Sequence, residues 1–158
     1  MNWQEATDAA PELAAKVRAR FEAHGLALLA TLRKDGAPRI SAVETVFGEG
    51  ELWFGMMPKS LKAADLLRDP RLALHNATTD KMVTDGDAKL SGAAVHVEDE
   101  ETFDRYRRAS GGSDVHALGT FHLFRVDVNE MSFLAPAGDH LDIEWWSEAR
   151  GYRQVDRY

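Results

Sequence analysis

Apolar residues along this chain change their period at Gly25. Ahead of it, Leu13, Val17 and Phe21 recur every fourth position behind Pro11, with Thr7 or Asp8 as cap candidates. That spacing predicts one N-terminal helix over residues 1–25, stopped by the glycine. Residues 26–32 are then apolar at almost every position, the pattern of a strand buried on both faces. Lys34-Asp35-Gly36 predicts a tight turn, residues 39–47 a second strand, Gly48-Glu49-Gly50 another turn, and residues 51–57 a third strand. Ser60 is placed to cap a short helix over residues 60–68, which Asp69-Pro70 terminates. Strands are expected over 71–78 and 89–97, with a polar exposed loop over 79–87 between them.

The most strongly marked helix covers residues 98–109. Its first turn holds Glu98, Asp99, Glu100 and Glu101, its last holds Arg105, Arg107 and Arg108, and Gly111-Gly112 follows, an order that complements the helix dipole. A sixth strand over 120–128 and a terminal hairpin, 141–146 with 152–157 around Gly151, complete the reading. Strands dominate and helices only connect them, so the fold class is mainly β. Six or more short antiparallel strands favour a closed or partly closed barrel, because closure hides strand edges. With 158 residues the chain fits one domain, divided into the helix at 1–25, a barrel core at 26–128 and the hairpin at 139–158.

Composition narrows the chemistry. The net charge of −7 disfavours nucleic acid or an anionic membrane as partner, so any anion must be captured locally. No cysteine is present, which removes thiolate nucleophiles, zinc–thiolate sites and iron–sulfur clusters, and redox chemistry must come from a cofactor. No leader segment or apolar run of membrane-spanning length is seen, and the expected compartment is the cytoplasm. His24, His75, His96, His116, His122 and His140 show no metal-binding spacing, and Asp80, Asp85 and Asp87 lack the pattern of a calcium loop, so no metal is expected. Serine-nucleophile elbows and glycine-rich nucleotide fingerprints are also missing.

What remains is the segment from Arg39 to Lys62. Pro58-Lys59-Ser60-Leu61-Lys62 puts a hydroxyl and two ammonium groups at a helix start, whose free N–H groups and dipole attract anions. If the second and third strands pair, Arg39 could reach the same phosphate. The same residues also fit a plain serine cap with two solvated lysines, and spacing alone does not choose.

The runs Thr31-Leu-Arg-Lys-Asp-Gly-Ala-Pro-Arg-Ile-Ser41, Leu52-Trp-Phe-Gly55 and Ser60-Leu-Lys-Ala-Ala-Asp-Leu-Leu-Arg-Asp-Pro-Arg-Leu-Ala-Leu74 resemble the pyridoxamine 5′-phosphate oxidase-like, FMN-binding split-barrel superfamily. Its small flavin- or deazaflavin-dependent oxidoreductases are the nearer match. The resemblance implies a six-stranded antiparallel split β-barrel, a homodimer, and a flavin in a groove at the subunit interface. It implies that Arg39, Ser60 and Lys62 hold the phosphate, with Ile40, Ser41, Ala42 and Val43 and with Phe54, Gly55 and Met56 beside the ring. Leu61 stands where many FMN-binding relatives carry arginine, which keeps coenzyme F420 open beside FMN. The Arg-Leu-His-Asp-Arg type substrate motif of the vitamin oxidase is absent, and Trp145-Trp-Ser-Glu-Ala-Arg-Gly-Tyr152 stands in its place.

The expected activity is hydride transfer to or from a small planar or conjugated substrate, with no catalytic residue assigned. His75 or Tyr152 could supply a proton, although His75 also reads as a core histidine. Trp145 and Trp146 could wall the substrate or pack the core, and Met56 and Met57 could line the ring pocket or fill gaps. The competing reading is a non-catalytic flavin- or haem-binding split barrel, with His75 or His122 as axial ligand.

Overall fold

Asn2, not Thr7 or Asp8, opens the first helix in the computed structural model, which describes residues 1–112 and 117–158. The Asn2 side chain accepts from the Glu5 N–H while the Glu5 carboxylate accepts from the Asn2 N–H, a reciprocal cap on α1 (Trp3–Ala9). The single helix expected over 1–25 is in fact two. Pro11 cannot donate a backbone bond, so the chain breaks at Ala10 and restarts as α2 (Pro11–Glu22) with proline in its first turn.

The strands are β1 (Leu26–Leu32), β2 (Pro38–Glu44), β3 (Val46–Gly48), β4 (Glu51–Met56), β5 (Arg71–Asn76), β6 (Asp87–His96), β7 (His122–Ala137), β8 (His140–Ser147) and β9 (Gly151–Arg157). Helix α3 (Leu61–Arg68) links β4 to β5, and α4 (Glu100–Ala109) lies between β6 and β7. All pairings are antiparallel, in the order β2-β1-β5-β6-β7-β4-β3, with β8 on β7 and β9 on β8. The six expected strands correspond to β1, β2, β4, β5, β6 and β7. The expected second strand is divided at Thr45, because the chain leaves β1 after Glu44 and turns to pair Val46 with Trp53.

Two expectations need correction. The strand predicted at 120–128 runs on to Ala137, and Pro136 is tolerated because β6 stops pairing at Leu134 and leaves that edge free. Strand β1 is buried on one face only. Ala27 and Leu29 point into the core, whereas Leu26 and Leu28 are exposed because no layer of the same chain covers them.

Helix α2 plugs the barrel. Leu13, Val17 and Phe21 bury against a cluster that includes Leu29, Leu74, Leu90, Val126 and Val128. Each such side chain contributes roughly 1.5–3 kcal/mol through its removal from water. A smaller cluster of Trp53, Val97, Phe103 and Leu123 seats α4 against the other end of the sheet. Among the described residues no helix is long and apolar enough to cross a membrane. His116 lies outside the described residues.

Candidate functional site

Strands β2 and β4 diverge where α3 begins, and the gap between them is a groove of about 630 Å³. Ala42, Val43 and Glu44 form one wall, Gly55, Met56 and Met57 the other, and Pro58, Lys59, Ser60 and Lys62 close the end. Ser60 caps α3 by accepting from the Ala63 N–H at 3.4 Å, and its carbonyl accepts from Ala64. The N–H groups of Leu61 and Lys62 then have no intrahelical acceptor, so they carry the positive end of the dipole. The Lys62 ammonium donates to the Ala42 carbonyl at 3.0 Å, which holds the cation over the groove. An apolar wall ending in a cationic helix start fits a planar ring with a phosphate tail, as flavins have.

A second depression of about 470 Å³ shares Glu44 and Gly55 to Pro58 with the groove and continues it toward Val46, Phe54, Tyr106, Thr120 and Phe121. Burial raises the Tyr106 hydroxyl above its usual pKa and the Glu44 carboxylate adds to that, so it keeps its proton at neutral pH. Gly55 lines both spaces. A Cβ there would lie 3.1 and 3.3 Å from the Phe121 ring and would narrow the passage. If the groove takes a flavin, Gly55→Leu is expected to weaken its binding by about 100-fold, roughly 2.7 kcal/mol, with little change in folding; titration with FMN beside a melting curve checks both.

The structure does not bring Arg39 to this groove. The expectation needed the second and third expected strands to pair at Arg39, but β2 pairs only with β1, and Arg39 lines a separate depression with Asp65 and Arg68. Arg39 instead stands beside its cross-strand neighbour Thr31, and both donate to the Asp65 carboxylate of α3, at 2.6 and 2.9 Å. Arg68 adds a third donor at 3.1 Å and also donates to the Leu32 carbonyl. Burial would raise the Asp65 pKa, but these bonds outweigh it and the net direction is down.

The other expected residues divide. Ser60, Lys62, Ala42, Val43, Gly55 and Met56 line the groove, while Phe54 lines the adjoining depression and stacks on Phe124 at 5.6 Å. Ile40 is exposed on the outer face of β2, and Ser41 turns inward opposite Leu29. The expected Trp145–Trp146 wall is corrected: Trp146 is a core residue, and Trp145 opens onto a separate depression with Ser91 and Arg150. Tyr152 donates to the buried Glu144 at 3.1 Å beside α2, away from the groove. His75 Nδ1 lies 2.7 Å from the Asn76 carbonyl. His122 has both ring nitrogens engaged, Nε2 with the Pro58 carbonyl at 3.0 Å and Nδ1 with His96 at 3.3 Å. Tyr106 and Thr120 were not singled out from the sequence, since only tertiary packing brings α4 and the residues before β7 to the adjoining depression; Glu44, the last residue of β2, was not singled out either.

A family model described as pyridoxamine 5′-phosphate oxidase matches residues 13–135. The chain belongs to that family. Its fold is shared with PhzG from Burkholderia lata 383, solved in complex with tetrahydrophenazine-1-carboxylic acid, at 15% identity and TM-score 0.65 over 98% of this chain and 92% of that one. A pyridoxamine 5′-phosphate oxidase-related, FMN binding protein from Nostoc punctiforme PCC 73102 superposes at 12% identity and TM-score 0.65, covering 94% and 96%. A heme binding protein from Mycobacterium smegmatis does so at 15% identity and TM-score 0.58, covering 90% and 87%. Identities this low speak for the fold, the split barrel of the family. No curated protein matches the chain by sequence.

Proposed function

We propose that this protein is an oxidoreductase that binds FMN, or the deazaflavin F420, in the groove between β2, β4 and α3 and acts on a small planar or conjugated substrate. One observation carries the reading: in a chain of net charge −7, a largely apolar groove, with Glu44 as the one carboxylate in its wall, ends at a helix start where Lys62 is held in place. The FMN-binding relative from Nostoc and the tricyclic ligand of PhzG support it.

The bound flavin supplies the hydride chemistry. The N–H groups of Leu61 and Lys62, the Ser60 hydroxyl and the Lys62 ammonium hold its phosphate, and Ala42, Gly55 and Met56 flank its ring. Tyr106 and Thr120 orient the substrate in the adjoining depression, where the protonated Tyr106 hydroxyl can donate a hydrogen bond. A haem ligand role does not suit His122, whose two ring nitrogens are already engaged.

We also place a second copy of the chain over the groove. Leu26, Leu28 and Ile40 are 43%, 44% and 71% exposed, and they share the outer face of β1 and β2 with Ala42 and Glu44 of the groove wall. A homodimer formed there covers this apolar face and closes the groove to water. Dilution is then expected to lower flavin occupancy and thermal stability together; full occupancy in a monomer at sedimentation equilibrium contradicts it.

Side-by-side titration of the apoprotein with FMN and with F420 tests the main reading and selects the cofactor. Lys62→Ala should weaken the preferred one by about 1.5–3 kcal/mol, the worth of a charge-assisted hydrogen bond. Failure of both cofactors to bind, or an unchanged affinity in the variant, ends the proposal.

A further inference from the structure

We propose that the depression adjoining the flavin groove selects its substrate by charge: it takes a flat aromatic ring that carries a protonated amine, and it turns away one that carries a phosphate or carboxylate. That this space holds the substrate rests on the flavin reading above, whereas the selection follows from the groups around the depression. Its volume of about 470 Å³ suits a molecule of one or two rings.

The polar groups there are acceptors more than donors. Glu44 is the one charged side chain of the lining among the described residues, and its carboxylate enters no hydrogen bond or ion pair with them. The Thr120 hydroxyl already donates to the Ala117 carbonyl at 2.7 Å, so toward a ligand it can only accept. Tyr106 keeps its phenolic proton and can serve either way. Lys59 and Lys62 line the groove and not this space, and the Lys62 ammonium is committed to the Ala42 carbonyl. An ammonium group, with three donors and a positive charge, matches this set. A phosphate or carboxylate finds no cation there and faces Glu44.

The walls supply the preference for a ring. Tyr106 and Phe121 stand 6.3 Å apart between centroids at 49°, an aromatic corner, and Val46 and Phe54 add apolar surface. Aromatic faces attract a nearby cation through their quadrupole, so the same walls that stack on the ring also favour its ammonium. Discrimination comes from both sides: pairing with Glu44 draws the cation in, and like-charge repulsion by the same carboxylate works against the anion.

The probes are naphthylmethylamine and naphthylacetate, one ring system with opposite charges, titrated calorimetrically at neutral pH and low ionic strength into the protein with and without FMN. The amine is expected to bind at least about tenfold more tightly than the acid, a difference of roughly 1.4 kcal/mol. Glu44→Gln should bring the two within about threefold, chiefly by weakening the amine, and Glu44→Lys should reverse their order. Glu44 is an exposed residue at the end of β2, and a melting curve confirms that each variant folds. Equal affinities in the unsubstituted protein, a tighter acid, or no binding of either probe overturns the proposal. A preference that survives Glu44→Gln also overturns it, by moving the cation to another part of an acidic surface. If FMN fails to bind while the probes still sort by charge, the flavin reading falls and the selection stands; FMN binding without sorting has the opposite meaning.

Discussion

Asp65→Ala is expected to cost the fold about 3–5 kcal/mol, the usual penalty for removing one partner of a buried ion pair. The carboxylate is 3% exposed and binds Thr31 on β1, Arg39 on β2 and Arg68 on its own helix, so one side chain ties α3 to the first hairpin. Its loss leaves two guanidinium groups at the end of the barrel without their counter-ion. Asp65→Asn keeps the shape and should cost less. The same residue sets an acid dependence. Its pKa is lowered on folding from an ordinary 3.8, since the three hydrogen bonds outweigh the effect of burial. A group depressed in the folded state stabilises it at pH values above the unfolded pKa, and that stability disappears as the pH falls through the folded value. Urea denaturation of the two proteins should therefore show a wide gap at neutral pH that narrows below about pH 4. Equal midpoints at pH 7 would remove Asp65 from its role as a tie.

Gly92→Ala should lower stability by about 3 kcal/mol, from overpacking against atoms that cannot give. A Cβ at this position would stand 2.0 Å from the Asp127 carbonyl oxygen, 2.9 Å from its carbon and 3.2 Å from the Val128 Cα, all of them backbone. The β6–β7 ladder slips register at this point, between Ser91 and Gly92, so the close approach is built into the longest seam of the barrel. The melting temperature should fall by roughly 6–12 °C for a chain of this length. A drop of under about 2 °C would mean that the seam yields easily.

Much of the fold was legible because its signals are local. Leu26–Leu32 appeared with both of its boundaries correct, and α3 and α4 carry their own caps, Ser60 and Asp99, whose side chains accept from Ala63 and Thr102. The break at Ala10 was readable from Pro11, but the stripe of Leu13, Val17 and Phe21 gave more weight to helix continuity. The length of β7 was not readable, since Asn129, Glu130 and Pro136 interrupt its apolar alternation and are accommodated only by the geometry of β6 and β8.

The candidate site was legible in half. Ser60 and Lys62 lie within three residues on one helix start, and sequence spacing captures that. Arg39 was assigned to the same anion on the condition that the second and third expected strands pair, and β2 pairs with β1 instead. For Trp145 and Trp146 the sequence left a substrate wall and core packing both open, and β8, which continues the sheet from β7, carries the Trp146 ring into the core. Tyr106 reaches the groove from a helix distant in sequence and left no local trace.

The contact between His122 and the Pro58 carbonyl extends the end of the β4–β7 ladder by one more link, since Met56 and His122 are themselves paired. It joins the first residue of β7 to the loop that leads into α3, so the start of that strand and the end wall of the groove share a link beyond the sheet.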